Sequence, residues 1–243
     1  HALVRALTGV GELWLTFGSV ALITAFVVFE GRTAHPLVPL RLFRSRSFSV
    51  ANVTSLAFSL GMFGAVFLLA QYLQIVDGYA PLEAGIRTLP WTAAPMVVAP
   101  IAGLLAPRVG VRVLLGTGLA LQAIGLVWLA LTVGASTPYL DLVPGFVLAG
   151  VGMGLTFAPS ATAVLADMAP DDHATASSTN ATIREIGVAL GVAVLVAVFQ
   201  AGGGTLTPTG YDEGLRTAIL AGAAVLAAGA IATRWLPRTT GRG

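Results

Sequence analysis

Apolar residues run along this chain in stretches too long for soluble secondary structure, separated by short polar connections. A helix that crosses about 30 Å of hydrocarbon, rising about 1.5 Å per residue, needs about 20 of them. Seven stretches meet that length: residues 12–30, 47–76, 88–106, 113–133, 142–166, 174–199 and 215–235. The sixth is the least plain, because its purely apolar part, residues 186–199, is too short to cross without the positions from Ala174 onward. The pattern predicts an all-α, polytopic transmembrane helical bundle of about seven spans. The remaining residues are consumed by two tails and six connections, so no extramembranous domain is expected.

Composition agrees with that reading and closes other routes. Hydrophobic residues make up 56% of the chain and charged residues 10%, against about 25% charged in soluble domains. All 13 basic residues are arginine, balanced by 11 acids to a net charge of +2. They are scattered among apolar segments, with no stripe that would follow a nucleic-acid backbone, so no nucleic-acid partner is expected. Cysteine is absent, which removes disulfides, thiol catalysis and cysteine-ligated metals. Lysine is absent too, which rules out a retinal Schiff base despite the sevenfold count. Neither HExxH nor GxSxG occurs, and His1, His35 and His173 are isolated in the tail or loops. No catalytic residue, metal site or cofactor is therefore assigned, and an enzyme is not expected. The chain opens on His1 without a leader pattern and is read as starting inside a longer polypeptide.

Arginine placement sets an expected orientation, since basic residues collect on the cytoplasmic side of membrane spans. Arg32, Arg41, Arg44 and Arg46 lie between the first two stretches. Alternating from there, the same side receives Arg108, Arg112, Arg234, Arg238 and Arg242, and the other side Arg5, Arg87 and Arg216. This predicts a multi-pass protein of the plasma (inner) membrane with its N-terminus outside and its C-terminus cytoplasmic.

Polar residues are unevenly shared among the stretches, and in hydrocarbon they mark helices that face protein or a wet path. The second carries Ser49, Asn52, Ser55 and Ser59 on one helical face, then Gln71 and Gln74. The sixth carries Asn180, Thr182, Arg184 and Glu185. The third holds Pro90, Pro95 and Pro100, which predicts a loosened helix backed by protein or water. The fourth and seventh have little to compare, with Thr117 and Gln122 in one and Thr217 and Thr233 in the other, and are expected at the periphery. A single serine or threonine has a simpler use, bonding to its own backbone or joining two helices. Arg184 and Glu185 point about 100° apart, so they face a partner helix, an aqueous cavity or the membrane interface, or snorkel there as anchors. Small residues mark packing faces: Gly187 with Gly191, and Ala57 with Gly61 and Ala65. The run Gly150, Gly152, Gly154 lies within an apolar span with no preceding strand, which excludes a dinucleotide loop.

Four segments, HPLVPLRLFRSRSFS (35–49), YLQIVDGYAPLEAGIRTLP (72–90), GLLAPRVGVR (103–112) and GFVLAGVGMGLTFAPSATAVLADMAPDDHATASSTNATIREIGVALGVAV (145–194), stand in the order and spacing of one family. Together they resemble the major facilitator superfamily, in particular its fourteen-span drug:proton antiporter branch (EmrB/QacA-like). GLLAPRVGVR resembles that family's cytoplasmic glycine-and-arginine loop, here Gly103, Arg108, Gly110 and Arg112, with Pro107 where an acid is usual.

The resemblance implies that residues 1–34 hold an outside tail and the last linker-region helix. Residues 35–243 are then the second six-helix bundle, whose N-terminal six-helix partner is expected outside this chain. It further implies proton-coupled efflux of lipophilic or cationic drugs by alternating access, with the proton gradient as the energy source and no cofactor. The implied partners are the lipid bilayer, the other half and a small lipophilic substrate. Candidate path residues are Asn52, Ser55, Gln71, Gln74, Trp91, Thr92, Thr156, Asn180, Arg184 and Glu185. Trp91 either stacks on an aromatic or cationic substrate or anchors at the interface, and Glu185 is this half's candidate for proton sensing. Two other readings stay open: export of an endogenous metabolite or self-made antibiotic, and a non-transporting membrane subunit.

Overall fold

In the computed structural model, which describes residues 40–134, 137–207 and 210–237, six of the seven apolar stretches fall among these residues, and each is helical. The expected span at 12–30 and the 1–34 segment lie outside the described residues. Seven α-helices follow: α1 (Arg46–Ile75), α2 (Pro81–Arg87), α3 (Leu89–Val109), α4 (Val111–Thr132), α5 (Tyr139–Leu165), α6 (His173–Ala201) and α7 (Tyr211–Ala232). All except α2 are long and apolar enough to span a membrane. Helices answer the bilayer's demand that every peptide group be satisfied internally.

The termini show why the elements begin and end where they do. Ser45 caps α1, its hydroxyl accepting the Phe48 N–H at 3.3 Å. Pro90 sits in the first turn of α3, where its missing donor is harmless, whereas Pro95, Pro100 and Pro107 lie within the same helix. Gly110 alone separates α3 from α4, with φ of 90°, a backbone region that costs other residues a Cβ clash. The short α2, absent from the hydropathy reading, starts on Pro81 and is closed by a Glu83–Arg87 ion pair of 2.9 Å across one turn.

The six long helices sort by contact into two layers. One runs α3, α5, α1, α6; behind it, α4 packs on α5 and α7, and α7 packs on α4, α1 and α6. The fourth and seventh predicted spans thus form the rear layer. Small residues set the spacing. Antiparallel α4 and α5 meet with Gly118 facing Gly152 and Gly125 facing Gly145, leaving no room for a side chain at any of the four. Parallel α1 and α6 meet at Gly64 and Gly191, with Gly187 against Ser59. Gly61 of α1 abuts Gly222 of α7, and Ala57 abuts Gly229. Gly150 and Gly154 seat α3 at Trp91 and Val98, so the glycine run in α5 serves two neighbours at once. Such contacts carry membrane bundles, because lipid tails give no hydrophobic drive between helices.

One large apolar core fills the interior from Phe58 and Met62 to Tyr72, Phe146, Phe199 and Tyr211. A smaller cluster of Leu42, Phe48, Leu115 and Ala163 closes the arginine-rich end. At the opposite end tyrosines tie helices to one another and to a loop. Tyr72 Oη donates to the Gly134 carbonyl at 2.7 Å, Tyr211 Oη to Leu68 at 3.0 Å, and Tyr139 Oη to Arg87 at 2.9 Å.

Adding a leucine side chain at Gly191 drives it into the Leu60 backbone and is expected to cost about 1–3 kcal/mol by overpacking. Gly85→Ala, where an added Cβ meets nothing within 4 Å, is expected to be neutral or stabilising by up to about 1 kcal/mol. Thermal unfolding in detergent, comparing both variants with the parent chain, measures the difference.

Candidate functional site

The two least enclosed spans are the edges of the front layer. Only 17% of the apolar window of α3 and 22% of that of α6 is buried, against 56% for α1 and α4. Their open surfaces are not uniform. On α6, Ser178, Thr182, Glu185, Ala189, Ala193, Ala197 and Gln200 form one exposed stripe at three- and four-residue spacing. Ile186, Leu190 and Val194 form a second, purely aliphatic one. On α3, Thr92, Met96 and Gly103 lie on one exposed side and Val97, Ile101 and Leu104 on the other. The open surface of α6 therefore divides into an aliphatic side and a side of small or polar residues, whereas on α3 Thr92 and Gly103 share their side with the apolar Met96.

Between α5, α1 and α6 lies a buried hydrogen-bond network. Asn180 Nδ2 donates to Asn52 Oδ1 and to Ser55 Oγ, both at 3.0 Å, and Ser55 Oγ pairs with Ser160 Oγ at 3.0 Å. Asn52 Nδ2 donates onward to the Phe48 carbonyl at 2.9 Å. All four side chains are buried, at 2–7% exposure, so their polar atoms bind one another and join three helices. Thr156, also a candidate, belongs to a separate pair. Its hydroxyl accepts from Gln122 Nε2 of α4 at 2.8 Å and donates to the Gly152 carbonyl at 2.8 Å.

The other candidates are dispersed. Trp91 is enclosed, 1% exposed, with its ring stacked 5.7 Å from Phe146. Thr92 is open, one turn from the α3 start. Arg184 is half-buried and lays its guanidinium 4.3 Å from the Phe157 ring centroid, a cation–π contact that shelters the charge. Phe157 in turn meets Phe58 edge-on at 5.7 Å. Glu185, beside it in sequence, is exposed on the polar stripe of α6 and makes no ion pair among the described residues. Gln71 lines a cleft of about 550 Å³ with Phe67, Val196, Phe199, Gln200 and Leu206. Gln74 is half-buried, its amide turned to the Ala70 carbonyl at 3.2 Å. Of the loop residues, Gly103 and Arg108 are exposed, Gly110 makes the turn, and Arg112 is half-buried in the first turn of α4.

Sequence reasoning gave Gln122 little weight and passed over Ser160 and Phe157. No local signal marks them, since each acquires its role from a partner on another helix. At the end opposite the arginines, Arg87 sits between the rings of Tyr79 (3.9 Å) and Tyr139 (4.8 Å). There burial raises the Asp77 carboxyl above its ordinary value, Arg87 opposing the rise and Asp212 adding to it.

Among the described residues the candidates thus comprise buried amides that hold helices together, an apolar cleft, and, on α6, an exposed acid beside a half-buried arginine. Comparison with known proteins points the same way. The sequence profile of the Major Facilitator Superfamily matches residues 5–192 and 78–243. The chain is 34% identical over 197 residues to the "Multidrug resistance protein B homolog" of Mycobacterium tuberculosis, covering 80% of this chain and 35% of that protein. It is 32% identical over 214 residues to the "Methylenomycin A resistance protein" of Streptomyces coelicolor, covering 86% and 43%. With the "Riboflavin transporter RibZ" of Clostridioides difficile it shares 31% over 183 residues, covering 73% and 40%. The chain spans less than half the length of each of these relatives. With six apolar helices of spanning length and a family profile across nearly all of its residues, this multi-pass membrane protein belongs to the Major Facilitator Superfamily.

Proposed function

We propose that the chain forms the C-terminal half of a fourteen-span exporter. Residues 35–243 supply a six-helix bundle, and residues 1–34 the last of the linker helices. In this reading α3, α5, α1 and α6 present one wall of an alternating-access pathway, and a second six-helix bundle supplies the other. The observation that carries it is the divided surface of α6, whose stripe from Ser178 through Glu185 to Gln200 contrasts with the aliphatic stripe of Ile186, Leu190 and Val194. A helix immersed in lipid on all open sides has no use for an exposed carboxylate at that depth.

The cargo is a lipophilic compound moved outward at the expense of an inward proton. The mainly apolar cleft at Phe67, Gln71 and Phe199 matches such a compound, as does the name of the Mycobacterium tuberculosis relative. Glu185 is the proton-binding group on this wall. The buried amide and hydroxyl network at Asn52, Ser55, Ser160 and Asn180 keeps α5, α1 and α6 together as the bundle rocks. A metabolite or self-made antibiotic as cargo is the second reading, favoured by the riboflavin and methylenomycin names among the relatives.

In the full-length transporter, Glu185→Gln is expected to bring proton-driven efflux down toward passive leak while leaving energy-independent exchange of substrate intact. Unchanged gradient-driven efflux removes Glu185 from coupling. Efflux assays run in parallel with a cationic dye and with riboflavin separate the two cargo readings. In the cysteine-free background, single cysteines at Ser45 and Gly110 are expected to label from the cytoplasm and those at Ala80 and Gly203 from outside. Proteoliposomes holding these 243 residues alone are expected to show no uptake above empty liposomes.

A further inference from the structure

The rear layer contains a feature that transport leaves unused. At the arginine-rich end, an open groove of about 330 Å³ lies along the start of α4 and the end of α7. Arg112, in the first turn of α4, and Arg234, just past the end of α7, both line it. Neither forms an ion pair, hydrogen bond or ring contact among the described residues. Arg87, by contrast, is held by Glu83 and two rings, and Arg184 by Phe157. The groove floor is built from small residues, Gly116 and Ala120 on α4 and Ala230 on α7. Its flanks carry exposed aliphatics, Val113 at 50% and Ile231 at 53%. Two hydroxyls are present, but Thr117 donates to the Val113 carbonyl at 2.8 Å and Thr233 to Ala230 at 2.6 Å. The guanidinium N–H groups are thus the free donors, and among the described residues no acid lines the groove.

We propose that this groove binds an anionic phospholipid. Its phosphate is bridged by Arg112 and Arg234, and one acyl chain runs between α4 and α7 over Gly116, Ala120 and Ala230. The chemistry selects each part of the occupant. Two unpartnered guanidinia at the end of membrane spans stand at headgroup depth, where a phosphate accepts paired N–H donors. The adjoining channel is apolar and opens on the lipid-facing rear layer, which calls for an acyl tail attached to that phosphate. A zwitterionic headgroup brings its own ammonium against two cations, with no carboxylate in the groove to receive it. An anionic headgroup has no such conflict.

The test is thermal unfolding of the purified chain in neutral detergent, titrated with phosphatidylglycerol, phosphatidylcholine or soluble glycerol phosphate, with bound lipid counted by native mass spectrometry. Phosphatidylglycerol is expected to raise the midpoint and remain bound, and the other two to do neither. Arg112→Gln and Arg234→Gln are each expected to weaken apparent affinity about fivefold, and the pair roughly thirtyfold. Ala120→Phe, which fills the channel and keeps both arginines, is expected to abolish the preference, while Arg44→Gln at the same end retains it. If the double variant unfolds, Arg112→Lys with Arg234→Lys keeps the charges and is expected to retain most of the preference. Equal stabilisation by the two lipids overturns the proposal, as does a preference that survives both the double glutamine variant and Ala120→Phe. An equal response to glycerol phosphate overturns lipid as the occupant.

Discussion

In hydrocarbon a peptide group has no water to fall back on, so each crossing segment must satisfy its own backbone, and only a continuous helix does so locally. Everything else here follows from that constraint combined with the weakness of association between rods equally soluble in lipid. The chain resolves the second problem by proximity. Where Gly118 meets Gly152 and Gly64 meets Gly191, one backbone lies directly on another, and dispersion contacts accumulate over whole turns. Helix spacing is therefore set by residues with almost no side chain, and the larger apolar side chains fill what remains.

Polar side chains inside the bundle serve the same end. An amide in hydrocarbon without a partner is costly, so Asn180 is held firmly in the one position where Asn52 and Ser55 both receive it. Such a network adds modest stability per bond, about 0.6 kcal/mol on average in membranes, yet it discriminates sharply between registers. A slip of α6 by one residue breaks both hydrogen bonds of Asn180 at once. The Gln122–Thr156 pair does the same between α4 and α5. The front and rear layers are thus each keyed to α5, one through Ser160 and the other through Thr156.

For the six spans that the structure describes, the fold was legible in the sequence to within a few residues, because length and hydropathy are local properties that the bilayer reads directly. The exception was α2, whose seven residues are too short and too mixed in polarity to register as a crossing, although Pro81 and the Glu83–Arg87 spacing mark it in hindsight. The site was legible only in part. Spacing placed Asn52, Ser55 and Ser59 on one face of α1 but carried no information on what that face meets, and its partner Asn180 is 128 residues away. Gln122 looked unimportant as a lone amide in an apolar run. Its importance comes from the enclosure of α4 between α5 and α7, which no window along the chain contains. For Arg184, the decisive neighbour is the Phe157 ring, a residue type that attracts no attention as a counterpart to a charge.

Gly110 has a mechanical corollary. With a single residue between the last turn of α3 and the first turn of α4, and Cα atoms about 3.8 Å apart along the chain, the two rods share what amounts to a common pivot with no slack. The last turn of α3 and the first turn of α4 therefore cannot separate at that end, while α4 is fixed further along by the Gly125–Gly145 contact with α5. The front edge and the rear layer are thus tethered at one shared corner, and a shift of the α3 end carries the start of α4 with it.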